Sequence, residues 1–292
     1  MFAGKGGVGK TTCAAATGLY YASIGQPTIV ISTDPTPSLR HIFEMHTASK
    51  PTRVDDRLYI HEIGEQQVKQ MWDSKFGREV YEVFSSFVDI GYQDFVDFVS
   101  SILPGLRDEF MVDYIREMAA GTDFQKIIWD TAPLGQTLGL LKMPTMLGAH
   151  LKTAPRIYSR LKTGKESRKS VLDIIKGWEA LSGRDLEFLK TAVCFNIVTI
   201  SESLAVEQLD DVFQEFEQHE LTIRHLIVNN VIFEADSVFL RTKSLQQKSY
   251  LDLLQKKYQS VDIIKLPMFP HEIKGIAKLN EIKARLFPER NS

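Results

Sequence analysis

The stretch that most constrains this chain lies at its start, where Gly4-Lys5-Gly6-Gly7-Val8-Gly9-Lys10-Thr11 runs directly into Thr12 and an alanine-rich segment. It satisfies the phosphate-loop pattern G-x-x-x-x-G-K-[ST] from Gly4 to Thr11. Glycines free the backbone to aim N–H groups at phosphate oxygens, and a helix that begins at once adds the positive end of its dipole. Lys10 then supplies a point charge between the β and γ phosphates, and the Thr11 hydroxyl a ligand for Mg²⁺. Gly4, Gly6, Gly7, Val8, Gly9, Lys10, Thr11 and Thr12 are therefore the expected phosphate contacts. The helix should run from Thr11 to Ile24 and stop at Gly25.

Charge and cysteine content narrow the setting. With 35 basic and 37 acidic residues the net charge is -2, so no whole-protein field draws the chain to nucleic acid or anionic lipid. A contact of that kind needs a local patch, and no nucleic-acid partner is expected. The two cysteines, Cys13 and Cys194, supply neither a disulfide framework nor a four-ligand zinc site, which fits a reducing compartment. The N-terminus lacks a basic start and an apolar h-region, and no window holds about 18 uncharged apolar residues. A cytoplasmic protein is expected.

Short β-branched runs at Thr28 to Ser32, Lys126 to Trp129, Thr191 to Ile200, Ile223 to Val228 and Val261 to Leu266 suit strands covered on both faces. Helical stretches separate them, so the fold class is α/β, a mostly parallel sheet flanked by helices. Between Ile63 and Lys126 no strand signal occurs, and apolar residues recur at helical spacing. One stripe is Val80, Val83, Phe84, Phe87 and Val88, a second is Phe95, Phe98, Val99, Ile102 and Leu103, and Pro104 and Gly105 punctuate them before Phe110, Tyr114, Ile115 and Met118. A further block, Met146 to Ser182, joins Leu147, Leu151, Ala154, Tyr158 and Leu161 to a basic set between Lys152 and Lys169. The expectation is a single domain over 1–292 with helical insertions at about 65–121 and 143–182.

Lys5 gives the loop a second lysine near its start, and this form resembles the deviant Walker A signature of the dimeric P-loop ATPases. Further stretches are similar to the arsenical pump-driving ATPase family. Ser32-Thr33-Asp34-Pro35-Thr36-Pro37-Ser38-Leu39 resembles its switch I, and Trp129-Asp130-Thr131-Ala132-Pro133-Leu134-Gly135-Gln136 its Walker B and switch II. Ile227-Val228-Asn229-Asn230 and Leu266-Pro267-Met268-Phe269-Pro270-His271-Glu272-Ile273-Lys274-Gly275 resemble its adenine-contacting segments. The resemblance runs from Gly4 to Phe287 and is strongest to the branch that targets tail-anchored membrane proteins.

The resemblance implies ATP and Mg²⁺ as cofactors and a homodimer in which Lys5 reaches the partner's nucleotide, the electrostatic task of an arginine finger. It implies that Asp34 orients the attacking water, that Asp130 holds Mg²⁺ and that the Gly135 N–H senses the γ phosphate. Asn229 would read the adenine amino edge and Pro267 wall its ring, ordinary turn chemistry being the competing reading of both. Departures accompany the matches. Pro37 and Gln136 stand where the family usually has histidine, and His41 where it often has an acid. Ser237 and Leu240 stand where the targeting branch carries its Cys-x-x-Cys zinc clamp, so no zinc is expected. Only Met1 to Ala3 precede the loop, which leaves the first strand nearly absent and suggests an incomplete N-terminus.

The function implied is an ATP-hydrolysing carrier that holds hydrophobic clients, the transmembrane segments of tail-anchored proteins, and hands them to a membrane receptor. Phe84 to Leu103 and Met143 to Leu161 are its candidate groove, with packing on the sheet as the competing reading. Two alternatives remain. One is a partition or positioning ATPase that meets a membrane surface or partner through Lys152 to Lys169, and the other is an arsenite-linked transport ATPase.

Overall fold

In the computed structural model, residues 1–34, 36, 38–85, 90–96, 104–131 and 171–288 are described. Eight strands lie in one sheet: β1 (Phe2–Gly4), β2 (Thr28–Ser32), β3 (Thr52–Asp55), β4 (Leu58–Glu62), β5 (Lys126–Asp130), β6 (Phe195–Ile200), β7 (Ile223–Val231) and β8 (Asp262–Pro267). Their order is β3-β4-β2-β5-β1-β6-β7-β8, and every neighbouring pair is parallel except β3 with β4. The α/β architecture expected from the alternating runs is present.

Among the described residues the helices named here are, in chain order, α1 (Lys10–Ser23), α2 (Leu39–Ile42), α3 (Glu65–Trp72), α4 (Arg78–Ser85), α5 (Pro104–Gly121), α6 (Val171–Thr191), α7 (Ser203–Gln218), α8 (Val238–Lys257) and α9 (Gly275–Leu286). Contacts divide the chain into two compact units. One comprises Met1–Ile63, Gly121–Thr137 and Val193–Ser292, and the other Gly64–Ala120 and Leu138–Ala192.

In the first unit β1 is three residues long and still pairs with both neighbours, Phe2 opposite Asp130 of β5 and Phe2 to Gly4 opposite Asn196 to Val198 of β6. Gly4 is required by that approach, since a Cβ there would stand 2.2 Å from the Val198 carbonyl oxygen. The buried alanines Ala14, Ala15 and Ala16 let α1 lie close over the sheet, where it joins Leu58, Ile60, Leu279 and Ile282 in the core. Burying each of those larger side chains contributes about 1.5–3 kcal/mol. Ser237 caps α8 by accepting a hydrogen bond from the Leu240 N–H.

The hairpin of β3 and β4 was not among the runs read from the sequence. β3 is an edge strand whose Arg53 and Asp55 are exposed, so it carries no continuous apolar signal. The run expected from Thr191 to Ile200 is split, because α6 extends to Thr191 and the strand begins at Phe195.

In the second unit, a π-helical turn over Asp73–Gly77 leads α3 into α4. Asp113 and Asp185 are buried and share Arg116, whose Nε donates to Asp185 Oδ1 at 2.6 Å and whose Nη2 donates to Asp113. Lys75 reaches Asp113 at 2.5 Å and Glu117 at 2.6 Å. Burial pushes the Asp185 carboxyl up to about 6 despite the hydrogen bond from Arg116. Among the described residues no helix is long and apolar enough to cross a membrane.

Candidate functional site

The loop between β1 and α1 emerges at the carboxyl end of the central strand. There the connections diverge toward β2 on one side and β6 on the other, the position at which open α/β sheets hold ligands. Gly7 and Gly9 take positive φ, 77° and 103°, which turns the loop back into the start of α1. Gly9 is further constrained by Asn229, because a Cβ there would lie 2.4 Å from Asn229 Nδ2. That same nitrogen donates to the Val8 carbonyl at 2.9 Å and ties the end of β7 to the loop. Nothing stands within 4 Å of the Cβ positions of Gly6 and Gly7, so the cradle is open on that side.

A cavity of about 700 Å³ faces this loop and is lined by Gly6, Gly7, Gly9, Lys10, Thr11 and Thr12 together with Asp34, Thr36 and Ser38. Lys10 is buried, and its Nζ donates to the Lys5 carbonyl at 3.0 Å. Burial lowers its pKa, while the charges of Asp130 and Asp34 oppose the shift. Thr11 Oγ1 donates to Asp130 Oδ2 at 2.8 Å, and Ser32 Oγ donates to the same oxygen at 3.1 Å. Asp130 is fully buried, and its Oδ1 has no hydrogen-bond partner among the described residues. Burial pushes this carboxyl up to about 6, the hydrogen bonds from Thr11 and Ser32 and the Lys10 charge pull it down, and the Asp34 charge adds to the rise.

Asp34 follows β2 and belongs to the cavity wall. Its Oδ1 accepts from the Thr36 N–H at 2.9 Å, an Asx-type turn that holds the carboxylate beside the loop. Trp129 Nε1 donates to Thr33 Oγ1 at 3.1 Å and fastens the adjacent residue of that segment to β5. Lys5 is placed differently from Lys10. It does not line the cavity, and its Nζ reaches the Leu204 carbonyl at 3.4 Å.

The structure thus gathers Gly6, Gly7, Gly9, Lys10, Thr11, Thr12 and Asp34 around one cavity, with Asp130 behind Thr11. Pro267 lines a separate cavity of about 400 Å³ with Ile232, Phe233, Glu234, Lys265, Met268 and Arg285. Gly135, Gln136 and Pro37 lie outside the described residues. Sequence reasoning gave no site role to Ile42, noted His41 only as a departure and placed Glu272, Ile273 and Lys274 in the segment resembling an adenine loop, and all five line the phosphate-loop cavity. Ser38 was read only as part of the segment resembling switch I, and its Oγ lies 3.1 Å from Thr11 Oγ1. The hydroxyl three residues before His41 was the available signal, but which loop it faces is a long-range fact.

Comparison with known proteins agrees with this geometry. Residues 1–288 match the model of the anion-transporting ATPase family. ATPase GET3A of Arabidopsis thaliana is 29% identical over 94% of this chain and 80% of its own length. ATPase GET3C of the same plant is 26% identical over 96% of this chain and 79% of its own length. ATPase GET3 of Podospora anserina is 25% identical over 97% of this chain and 88% of its own length. With the full family match and a phosphate loop built as such enzymes need it, the chain belongs to the anion-transporting ATPase family and is an ATP-hydrolysing enzyme.

Proposed function

We propose that this ATPase works in the cytoplasm as a homodimeric carrier that captures the transmembrane segments of tail-anchored membrane proteins and delivers them to a membrane receptor. The observation that carries the reading is the division of labour between the two loop lysines. Lys10 is buried inside the phosphate cavity, whereas the Lys5 ammonium lies outside it near the Leu204 carbonyl. A lysine that serves no phosphate of its own loop is suited to serving the partner's. The resemblance to the targeting branch supplies the client class, and a segment of about 20 residues over about 30 Å needs the composite groove that two subunits offer.

The residues present fit ATP with Mg²⁺. The Gly6 and Gly7 cradle is open, and Asp130 presents a buried oxygen without a partner among the described residues. Thr11 and Asp130 would hold Mg²⁺, whose charge offsets that of the phosphates. Gly4, Gly6, Gly7, Val8, Gly9, Lys10 and Thr12 would bind the phosphates through backbone N–H groups and the Lys10 ammonium. Asp34 orients the attacking water and draws on its proton. The Asn229 amide, its nitrogen engaged with Val8, offers its Oδ1 to the adenine amino group, and Pro267 walls the ring. Gly135 remains assigned to the γ phosphate.

The candidate groove segment Met143 to Leu161 and the basic run Lys152 to Lys169 lie outside the described residues. Burial drives the Cys13 thiol up to about 12, and with Cys194 the only other cysteine the chain lacks the several thiols a metalloid site would use, which favours the carrier over the arsenite-linked reading. The test is capture of a newly made tail-anchored protein in cell-free translation, comparing wild type with Asp34→Asn and an intact client segment with a charge-interrupted one. Specific capture, enhanced by the trapped variant, is expected. Intact ATP hydrolysis without capture would reject the client assignment.

A further inference from the structure

Two acids line the phosphate cavity, Asp34 on the segment after β2 and Glu272 on the segment that leads into α9. An acid facing a polyphosphate weakens its binding unless the acid meets a proton donor or a cation. Asp34 has the attacking water to meet. Glu272 has no such assignment, and it is exposed and joins no ion pair among the described residues.

The lead-in to α9 is anchored at both ends. His271 Nε2 lies 3.4 Å from Glu281 Oε2 on α9. Gly275, at a φ of 76°, passes so close to the turn after α2 that a Cβ there would stand 2.7 Å from Glu44 Oε2. Between these points Ile273 packs against the core cluster that contains Leu279 and Ile282. Lys274 is extended, with φ -146° and ψ 142°, and in extended backbone neighbouring side chains take opposite sides. With Ile273 turned to the core, Glu272 and Lys274 share the other side, and both line the cavity.

The chemistry of a nucleotide decides what each of them meets. The loop and Lys10 take the β and γ phosphates, and Asp34 attends the γ end. An ionised carboxylate only accepts hydrogen bonds, so Glu272 suits neither a phosphate nor the acceptor nitrogens of a base. The donors that ATP offers beyond its phosphates are the adenine amino group, already given to Asn229, and the two ribose hydroxyls. Adjacent hydroxyls match the two oxygens of one carboxylate, the pairing by which acids read ribose in dinucleotide folds. Lys274 carries the opposite charge on the same side, and that charge suits the α phosphate.

We infer that Glu272 is the ribose-reading residue of this ATPase, its carboxylate accepting from the 2′- and 3′-hydroxyls while Lys274 meets the α phosphate. The inference rests on ATP occupying this cavity, and it adds a basis for choosing ribonucleotides over deoxyribonucleotides.

The experiment is calorimetric titration of the full chain, with Mg²⁺ present, by ADP and by ADP that lacks both ribose hydroxyls. ADP keeps the sugar contact and avoids turnover. Wild type should prefer ADP by about 10- to 100-fold, the range for hydrogen bonds to a charged acceptor. Glu272→Ala should lower ADP affinity to the level of the dideoxy compound without weakening the latter, so the preference disappears. Glu272→Gln, which keeps one acceptor oxygen, should retain part of it. Lys274→Ala should weaken both ligands by the same factor and leave the preference intact. Equal wild-type affinity for the two ligands overturns the inference, as does a Glu272→Ala variant that weakens both alike. A preference erased by Lys274→Ala and kept by Glu272→Ala would also sink it. Absence of ADP binding by wild type would reject the nucleotide site itself, whereas binding without a ribose preference rejects this inference alone.

Discussion

Thr11 and Asp130, 119 residues apart in sequence, are joined by a hydrogen bond of 2.8 Å from the threonine hydroxyl to a carboxylate oxygen. The bond couples the first residue pair of α1 to the end of β5, and with Ser32 donating to the same oxygen it holds three segments in one geometry. Thr11→Ser should preserve it and Thr11→Val should remove it. We expect Thr11→Val to weaken the Mg²⁺ dependence of ATP binding about 10- to 100-fold, with Thr11→Ser near wild type, as read by Mg²⁺ titration of a fluorescent nucleotide complex.

Asp34→Asn should keep nucleotide affinity and lower turnover by about 10²- to 10⁴-fold, because the water loses its orienting carboxylate. Lys5→Ala should spare binding and impair hydrolysis. Mixing the two inactive variants should restore partial phosphate release, since the Lys5→Ala subunit keeps its Asp34 and receives Lys5 from its partner. A mixture as inactive as its parents would place Lys5 in its own subunit's site.

Gly9→Ala forces a side chain into a φ of 103° and drives its Cβ against the Asn229 amide. A cost of about 1–3 kcal/mol in unfolding free energy is expected, together with loss of nucleotide binding. Asn229→Ala removes the bond to Val8 without that strain, so it should weaken nucleotide binding with a smaller change in the urea midpoint.

His61 and His225 both sit below the usual histidine pKa of 6.5, chiefly because burial disfavours the charged ring. The unfolded chain therefore takes up these protons first as pH falls. The stability they allow is complete above pH 6.5 and declines as pH drops toward their folded values. His61 Nε2 lies 3.2 Å from the Ser49 carbonyl, a donation that glutamine can mimic. Urea unfolding at a series of pH values should show a shallower acid decline for His61→Gln than for wild type.

Arg116→Ala leaves Asp113 and Asp185 buried without the guanidinium they share. A loss of about 3–5 kcal/mol is expected in thermal or urea unfolding. Asp185→Asn in the same background should recover part of it by removing one of the buried charges.

The phosphate loop was legible because its glycines and lysine are dictated by local backbone geometry and charge, which sequence records directly. The interior strands β2, β5 and β7 were legible for a related reason. Strands in the interior of a parallel sheet must be apolar on both faces, and runs such as Thr28 to Ser32 show it. Edge strands obey no such rule. The edge strand β3, with Arg53 and Asp55 turned to solvent, left too weak a pattern to read, and so did its inner neighbour β4, whose apolar residues are broken by His61. The cavity's far wall escaped for another reason. His41 and Ile42 meet the loop only because α2 folds over it, and no spacing within that segment encodes the meeting. Asn229 was noticed by resemblance to a base-reading position, but its bond to the Val8 carbonyl follows from the register of β7 against β6.

A last consequence concerns β1. The middle of an eight-stranded sheet is sewn with a strand of three residues, and the phosphate loop is the thread's free end. Thr131 adds stitches to the Phe2 carbonyl through its N–H and its hydroxyl, at 3.3 Å and 2.8 Å. Whatever grips the loop thereby tightens the seam between β5 and β6. Nucleotide occupancy and the integrity of the sheet around β1 are therefore linked, and once ATP exceeds its dissociation constant each further tenfold rise in ATP adds about 1.4 kcal/mol to the stability of the folded state that binds it.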